Sequence, residues 1–234
     1  MCNRYVSPDT REIEAQWSIG RRNPVPWYRD MAPLRAGPIL RAWQGDGMDL
    51  EVAQWGMIPR GSPERVPRMK PKPGQKQGAR LSTNNARAER VATAWTFKWA
   101  WADGRRCLIP AVSFDEPNWE SGRNEWWRFR RCDGTLWALA GLWDEWRDPE
   151  TGEIVPNYTM MTINADDHPL MRRMHKPELD PKTKQPLPPE KQDKRSVVAI
   201  EEKDWERWLR GTVEEARALL QLTPVEEFDA GPLP

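Results

Sequence analysis

Residues 105–114 read RRCLIPAVSF, 124–131 read NEWWRFRR, 136–146 read LWALAGLWDEW and 157–165 read NYTMMTINA. Each is rich in β-branched or aromatic residues and flanked by turn formers, with Asp133-Gly134 between the second and third, so each is predicted to be a strand. SVVAI at 196–200 has the same character, and MDLEVAQWGMIP at 48–59 reads as a strand running into a turn at Pro59. Helical patterns lie apart from these. Ser7-Pro8 reads as an N-cap followed by a first-turn proline, opening a short helix that runs to Ser18 and ends near Gly20. From Ala86 to Ala102, Val91, Trp95 and Trp99 recur every four positions on one helical face, which Asp103-Gly104 terminates. KDWERWLRG (203–211) and VEEARALLQL (213–222) close the chain as helices. Strands in runs with helices set apart predict an α+β fold, and there is no internal repeat.

The 234 residues suit one domain spanning 1–234. Thirty-six basic residues against 35 acidic ones leave a net charge of +1, so any nucleic-acid binding has to come from local clustering. One such cluster exists. Residues 60–80 carry Arg60, Arg65, Arg68, Lys70, Lys72, Lys76 and Arg80 against the single acid Glu64, with four prolines and three glycines, the composition of a basic flexible loop. Residues 178–194, rich in Lys, Asp, Gln and Pro, read as a solvated polar loop. No apolar run approaches the roughly 18 residues of a membrane span, and MCNRYVSPDT has no secretory apolar stretch, so a cytoplasmic protein without membrane contact is expected. Cys2, Cys107 and Cys132 are odd in number and widely spaced, and are expected as free thiols. With only His168 and His175 beside them, no zinc-ligand spacing arises, and no metal or other cofactor is expected. Most of the fifteen tryptophans are expected in the core, with a few left to stack on bases.

Cys2 carries the distinctive chemistry. A small residue at position two permits removal of Met1, which leaves an α-amine and a thiol on adjacent carbons. With reference pKa values of about 8 and about 8.5, both a neutral amine and some thiolate exist near neutral pH. Such a 1,2-aminothiol condenses with aldehydes: the amine forms an imine and the sulfur closes a five-membered thiazolidine on the same carbon. The ring-opened deoxyribose of an abasic site presents such an aldehyde.

Cys2-Asn3-Arg4-Tyr5 resembles the Cys-Gly-Arg-Tyr/Phe opening of the SOS response-associated peptidase (SRAP) family. Four more blocks follow in family order: Trp55-Gly56-Met57-Ile58-Pro59, Asn85-Ala86-Arg87-Ala88-Glu89, Arg106-Cys107-Leu108-Ile109-Pro110-Ala111 leading to Phe114-Asp115-Glu116, and Met174-His175-Lys176-Pro177. The resemblance implies a barrel-like, mainly antiparallel sheet with peripheral helices, and covalent capture of abasic sites in single-stranded DNA. It implies catalytic roles for four residues. Cys2 supplies amine and thiolate, Glu116 exchanges protons, Asn85 holds the reacting groups, and His175 assists opening of the sugar ring. Arg4 and Arg87 would grip phosphates and Trp55 would contact the DNA. His168 lacks the His-x-Pro context and is assigned to structure or surface.

Asn3 stands where the family usually has Gly, Asp30 where it has Asn, and Pro117 where an aromatic follows the Glu; a tryptophan usual after the Trp-Gly-x-x-Pro turn is also missing. The expected backbone contacts therefore fall on the basic loop, at Arg60, Arg65, Arg68, Lys70 and Lys72. A monomer is expected. Two other readings remain open: a cysteine-type peptidase or autopeptidase using Cys2, and a non-covalent single-strand-binding module.

Overall fold

A computed structural model describes residues 2–17, 19, 26–43, 45 and 47–234. The strands are β1 (Arg4–Val6), β2 (Asp30–Met31), β3 (Ala36–Ala42), β4 (Met48–Trp55), β5 (Asn85–Arg87), β6 (Arg106–Ala111), β7 (Ser113–Asn118), β8 (Glu125–Arg131), β9 (Trp137–Arg147), β10 (Ile154–Asn164), β11 (Arg195–Val197) and β12 (Phe228–Pro232). The α-helices are α1 (Thr10–Trp17), α2 (Lys98–Ala102), α3 (Trp205–Arg210) and α4 (Val213–Ala218). The fold is α+β, as expected.

Pairing closes a five-stranded barrel. β4 pairs with β3, β3 with β6, β6 with β9 and β9 with β10, all antiparallel, and a short parallel pairing of β10 with β4 completes the ring. That last pairing is brief. It covers Asn157↔Gln54 and Tyr158↔Trp55; β10 then continues beside β5 through Met160↔Asn85 to Thr162↔Arg87. The chain leaves the barrel at Gly56, whose φ of +137° suits glycine and whose N–H donates to the Tyr158 carbonyl. A second, fully antiparallel sheet runs β12-β8-β7-β1-β2. β6 and β7 are nearly one strand that crosses between the sheets at Val112.

Alternation along the barrel strands sorts two cores. Leu40, Val52, Leu108, Ala140 and Met161 pack with Ile13 and Trp17 of α1, Trp101 of α2 and Trp208 of α3. Their neighbours Ile39, Ala53, Cys107, Ile109 and Met160 pack with Tyr5, Phe114 and Phe129 of the second sheet, and Cys2 belongs to this second core. Trp55, Trp101, Trp137 and Trp208 are fully buried, while Trp43, Trp95 and Trp99 are exposed. All three cysteines are free, Cys2 and Cys107 buried and Cys132 exposed.

Two helical expectations change. At the first helix the cap is Asp9, not Ser7: Asp9 Oδ1 accepts from the Glu12 N–H while Glu12 reaches back to the Asp9 N–H, a reciprocal pair that satisfies two amide donors. Its end near Gly20 lies outside the described residues. The helix expected over 86–102 shrinks to α2, because Asn85–Arg87 are drawn into pairing with β10 and turns follow up to Phe97. Sheet pairing outweighs a weak local propensity there. Val91 is buried, but Trp95 and Trp99 turn outward with the Lys98 ammonium over both rings.

Candidate active site around Cys2

β1 lies in the second sheet between the edge strand β2 and the central strand β7, and the residues before it bring Cys2 beside the start of β5. Cys2 is completely buried. Its carbonyl accepts two side-chain amides, Asn85 Nδ2 at 2.7 Å and Asn84 Nδ2 at 3.1 Å. Asn84 also donates to Asn3 Oδ1 at 2.8 Å, and its own carbonyl receives the Trp55 indole N–H. Asn3 thus joins the clamp on the backbone of Cys2. The Cys2 thiol lies 3.3 Å from the Arg4 carbonyl, and burial, followed by the nearby Glu116 carboxylate, pushes its pKa well above the ordinary value.

Glu116 is 1 % exposed, and among the described residues neither of its oxygens has a hydrogen-bond partner. A buried carboxylate left so is costly and points to function. Its Oε2 lies 3.4 Å from His175 Nδ1, and His175 Nε2 lies 3.1 Å from the Arg195 carbonyl. A carbonyl can only accept, so the hydrogen bond assigns a proton to Nε2. Burial lowers the His175 pKa despite the opposing pull of Glu116, which keeps the ring neutral near pH 7 and turns a bare Nδ1 toward the carboxylate. The carboxylate and the imidazole face each other across 3.4 Å, close enough for a proton to pass between them.

His175 reaches this position with φ +64°, unusual for a residue with a Cβ. Its N–H donates to the Pro117 carbonyl at 2.6 Å, next to Glu116 on β7. Beside it lies an open cavity of about 690 Å³ lined by Trp119, Arg172, Gln192 and Lys194 among others.

The structure thus brings Cys2, Asn85, Glu116 and His175 to one place. Arg4 stands half exposed at its rim, over the Trp126 ring and 3.8 Å from Asp115, whose carboxylate is held mainly by two bonds from Arg128. Arg87 is half exposed and pairs with Asp193 at 2.6 Å, whereas Glu89 takes Arg195. Trp55 departs from expectation: it is fully buried, edge-on to Tyr5, so its ring supports Asn84 from within the core and offers no face to DNA. In the basic loop, Arg60 is committed to Asp144 and Asp103, and Arg65 to Gln54. Lys70, Lys72 and Lys76 are exposed, and Arg68 bridges to Arg80 at the loop's neck. His168 is structural, its ring bonded to the Thr223 carbonyl and to the Leu170 and Met171 amides. Asp30 sits on β2, its carbonyl bonded by Arg35. Sequence reasoning missed Asn84, whose doublet with Asn85 was the available signal.

These features define an α+β barrel protein with a buried cysteine next to its N-terminus, set against an asparagine clamp and a carboxylate–imidazole pair. The chain belongs to the SOS response associated peptidase (SRAP) family, whose model matches residues 1–233. It is 26 % identical over 179 residues to the abasic site processing protein YoqW of Bacillus subtilis, covering 75 % of this chain and 73 % of that protein. It is 23 % identical over 185 residues to the abasic site processing protein HMCES of Gallus gallus, covering 63 % of this chain and 51 % of that longer relative. A crystal structure of a protein from Bordetella bronchiseptica superposes over the full length of both chains with a TM-score of 0.80 and 31 % identity. One from Bacteroides thetaiotaomicron shares the fold at 17 % identity and a TM-score of 0.68. No helix among the described residues is long and apolar enough to cross a membrane.

Proposed function

We propose that this chain processes abasic sites in DNA, capturing them in single strands through Cys2 once Met1 has been removed. Similarity to YoqW and HMCES, both named as abasic site processing proteins, supports the substrate. One observation carries the chemistry: a clamped Cys2 backbone beside a buried carboxylate–imidazole pair.

The Glu116–His175 pair takes the proton of the C1 hydroxyl and returns one to the ring oxygen as the closed sugar opens to the aldehyde. The free α-amine of Cys2 adds to the aldehyde carbon, and loss of one water yields the imine. Glu116 then takes the thiol proton and passes it to the nitrogen as sulfur bonds to the imine carbon, closing the thiazolidine. Burial keeps the Cys2 thiol protonated until that moment, so the amine reacts first and sulfur second. Reversal runs through the same groups. Asn84 and Asn85 hold the carbonyl adjoining the reacting amine and limit its motion, an orientation effect. Arg4 and Arg87, both half exposed, would meet phosphates of the bound strand, Arg87 exchanging its partner Asp193 for one.

A peptidase reading needs a ready thiolate, which the raised thiol pKa opposes. The test is a denaturing gel with processed protein and single-stranded DNA carrying one abasic site. A slower band that withstands denaturation is expected from the native chain. Cys2→Ser should give none, leaving at most a labile imine that borohydride traps. Absence of any such band from protein whose N-terminus is Cys2 by mass spectrometry would refute the proposal.

A further inference from the structure

The structure assigns Lys194 as a positioning residue that holds His175 in its reactive pose, an inference that rests on the acid–imidazole reading above. A left-handed, non-glycine residue persists only where its surroundings over-determine it. His175 makes contacts through its N–H to the Pro117 carbonyl, its Nε2 to the Arg195 carbonyl and its Nδ1 to Glu116. Lys194 adds a further constraint. Its Nζ donates to the carbonyl of His175 at 2.7 Å and to that of Met174 at 2.8 Å, which turns both peptide planes toward one point.

Lys194 is itself tightly placed. It is 8 % exposed, its N–H donates to Asp166 Oδ1, and its carbonyl receives the Ala165 N–H. No carboxylate within salt-bridge distance neutralises the ammonium among the described residues; two peptide carbonyls take that place. An ammonium with three donors on a flexible stem suits two converging carbonyls in a way the planar guanidinium fork does not. The next residue completes the device, because the carbonyl that orients the imidazole belongs to Arg195, at the start of β11. One dipeptide thus grips the main chain of residues 174–175 by a side chain and the His175 ring by a main-chain oxygen. Loss of the first grip frees His175 to relax to negative φ, which would swing Nδ1 away from Glu116.

Lys194→Met keeps the stem and removes the donors. In single-turnover reactions with abasic single-stranded DNA, this variant should crosslink at least about tenfold more slowly, with affinity for lesion-free single strands unchanged. In a His175→Ala background the same substitution should add almost nothing, because both changes act through one ring. Lys194→Gln, which can restore one carbonyl contact, should fall between. An unchanged rate in Lys194→Met, or an equal loss with and without His175, would overturn the assignment. If Lys194→Met proves unfolded by circular dichroism, Lys194→Gln carries the same comparison. Nitrogen NMR of the His175 ring separates this claim from the crosslinking one. Changed Nδ1 and Nε2 shifts in the lysine variants are expected even if the native chain crosslinks nothing, and unchanged shifts would sink the positioning role alone.

Discussion

Glu116 and His175 are the residues whose energetics and chemistry pull in opposite directions. Glu116 is buried and the His175 side chain is 13 % exposed, and among the described residues the carboxylate has none of the hydrogen bonds a structural acid would have. For His175 the folded pKa lies below the ordinary value of about 6.5. Below about pH 6.5 the unfolded chain therefore binds a proton on this ring that the folded chain still refuses, so stability falls as pH drops through that window. Above it the contribution is fully present. His175→Gln should flatten this part of the stability–pH profile in urea titrations, and a profile unchanged in slope would show that the ring is not held neutral. Glu116→Gln keeps the shape but cannot take the thiol proton. It should slow thiazolidine closure by about a hundredfold in single-turnover assays while leaving imine trapping with borohydride detectable.

At the scale of elements, β5 does two jobs that its sequence did not announce. Pairing with β10 pulls Asn85–Arg87 out of the helix expected there and points Asn84 and Asn85 at the Cys2 carbonyl. The 60–80 segment is also more differentiated than its composition implies. Arg60 and Arg65 are tied to Asp144, Asp103 and Gln54, while Lys70, Lys72 and Lys76 stand exposed and, among the described residues, without an ion pair. Replacing these three lysines by alanine should weaken binding of single-stranded DNA and reduce the slope of log affinity against log salt by about 2. Equal slopes for native and variant chains would exclude the loop from the backbone contacts. The polar stretch 178–194 is likewise solvated only in part, for its end buries Lys194 against the backbone of His175.

For the whole molecule, closure of the barrel decides where the site lies. Gly141 on β9 is shared by both seams, opposite Cys107 on one side and Met160 on the other. A Cβ built there would come within 2.8 Å of the Cys107 sulfur and 3.0 Å of the Thr159 carbonyl. Gly141→Ala should destabilise the chain by about 1–3 kcal/mol in denaturant titrations, and wild-type stability would mean that the two seams can part without cost. Alternation of buried residues and turn formers such as Asp133-Gly134 is local chemistry, so the long strands β4, β6, β8, β9 and β10 were legible from residues alone. Cys2, Asn85, Glu116 and His175 were legible too, as motif blocks in order, since each block is short and contiguous. Contacts between distant parts of the chain were not. The shortened α2, the burial of Trp55, the Asn84 and Asn3 clamp and the grip of Lys194 on His175 all depend on which strand ends meet when β10 joins β9 to β4 and β5. Those pairings join residues up to about a hundred positions apart, where no local propensity or period carries information.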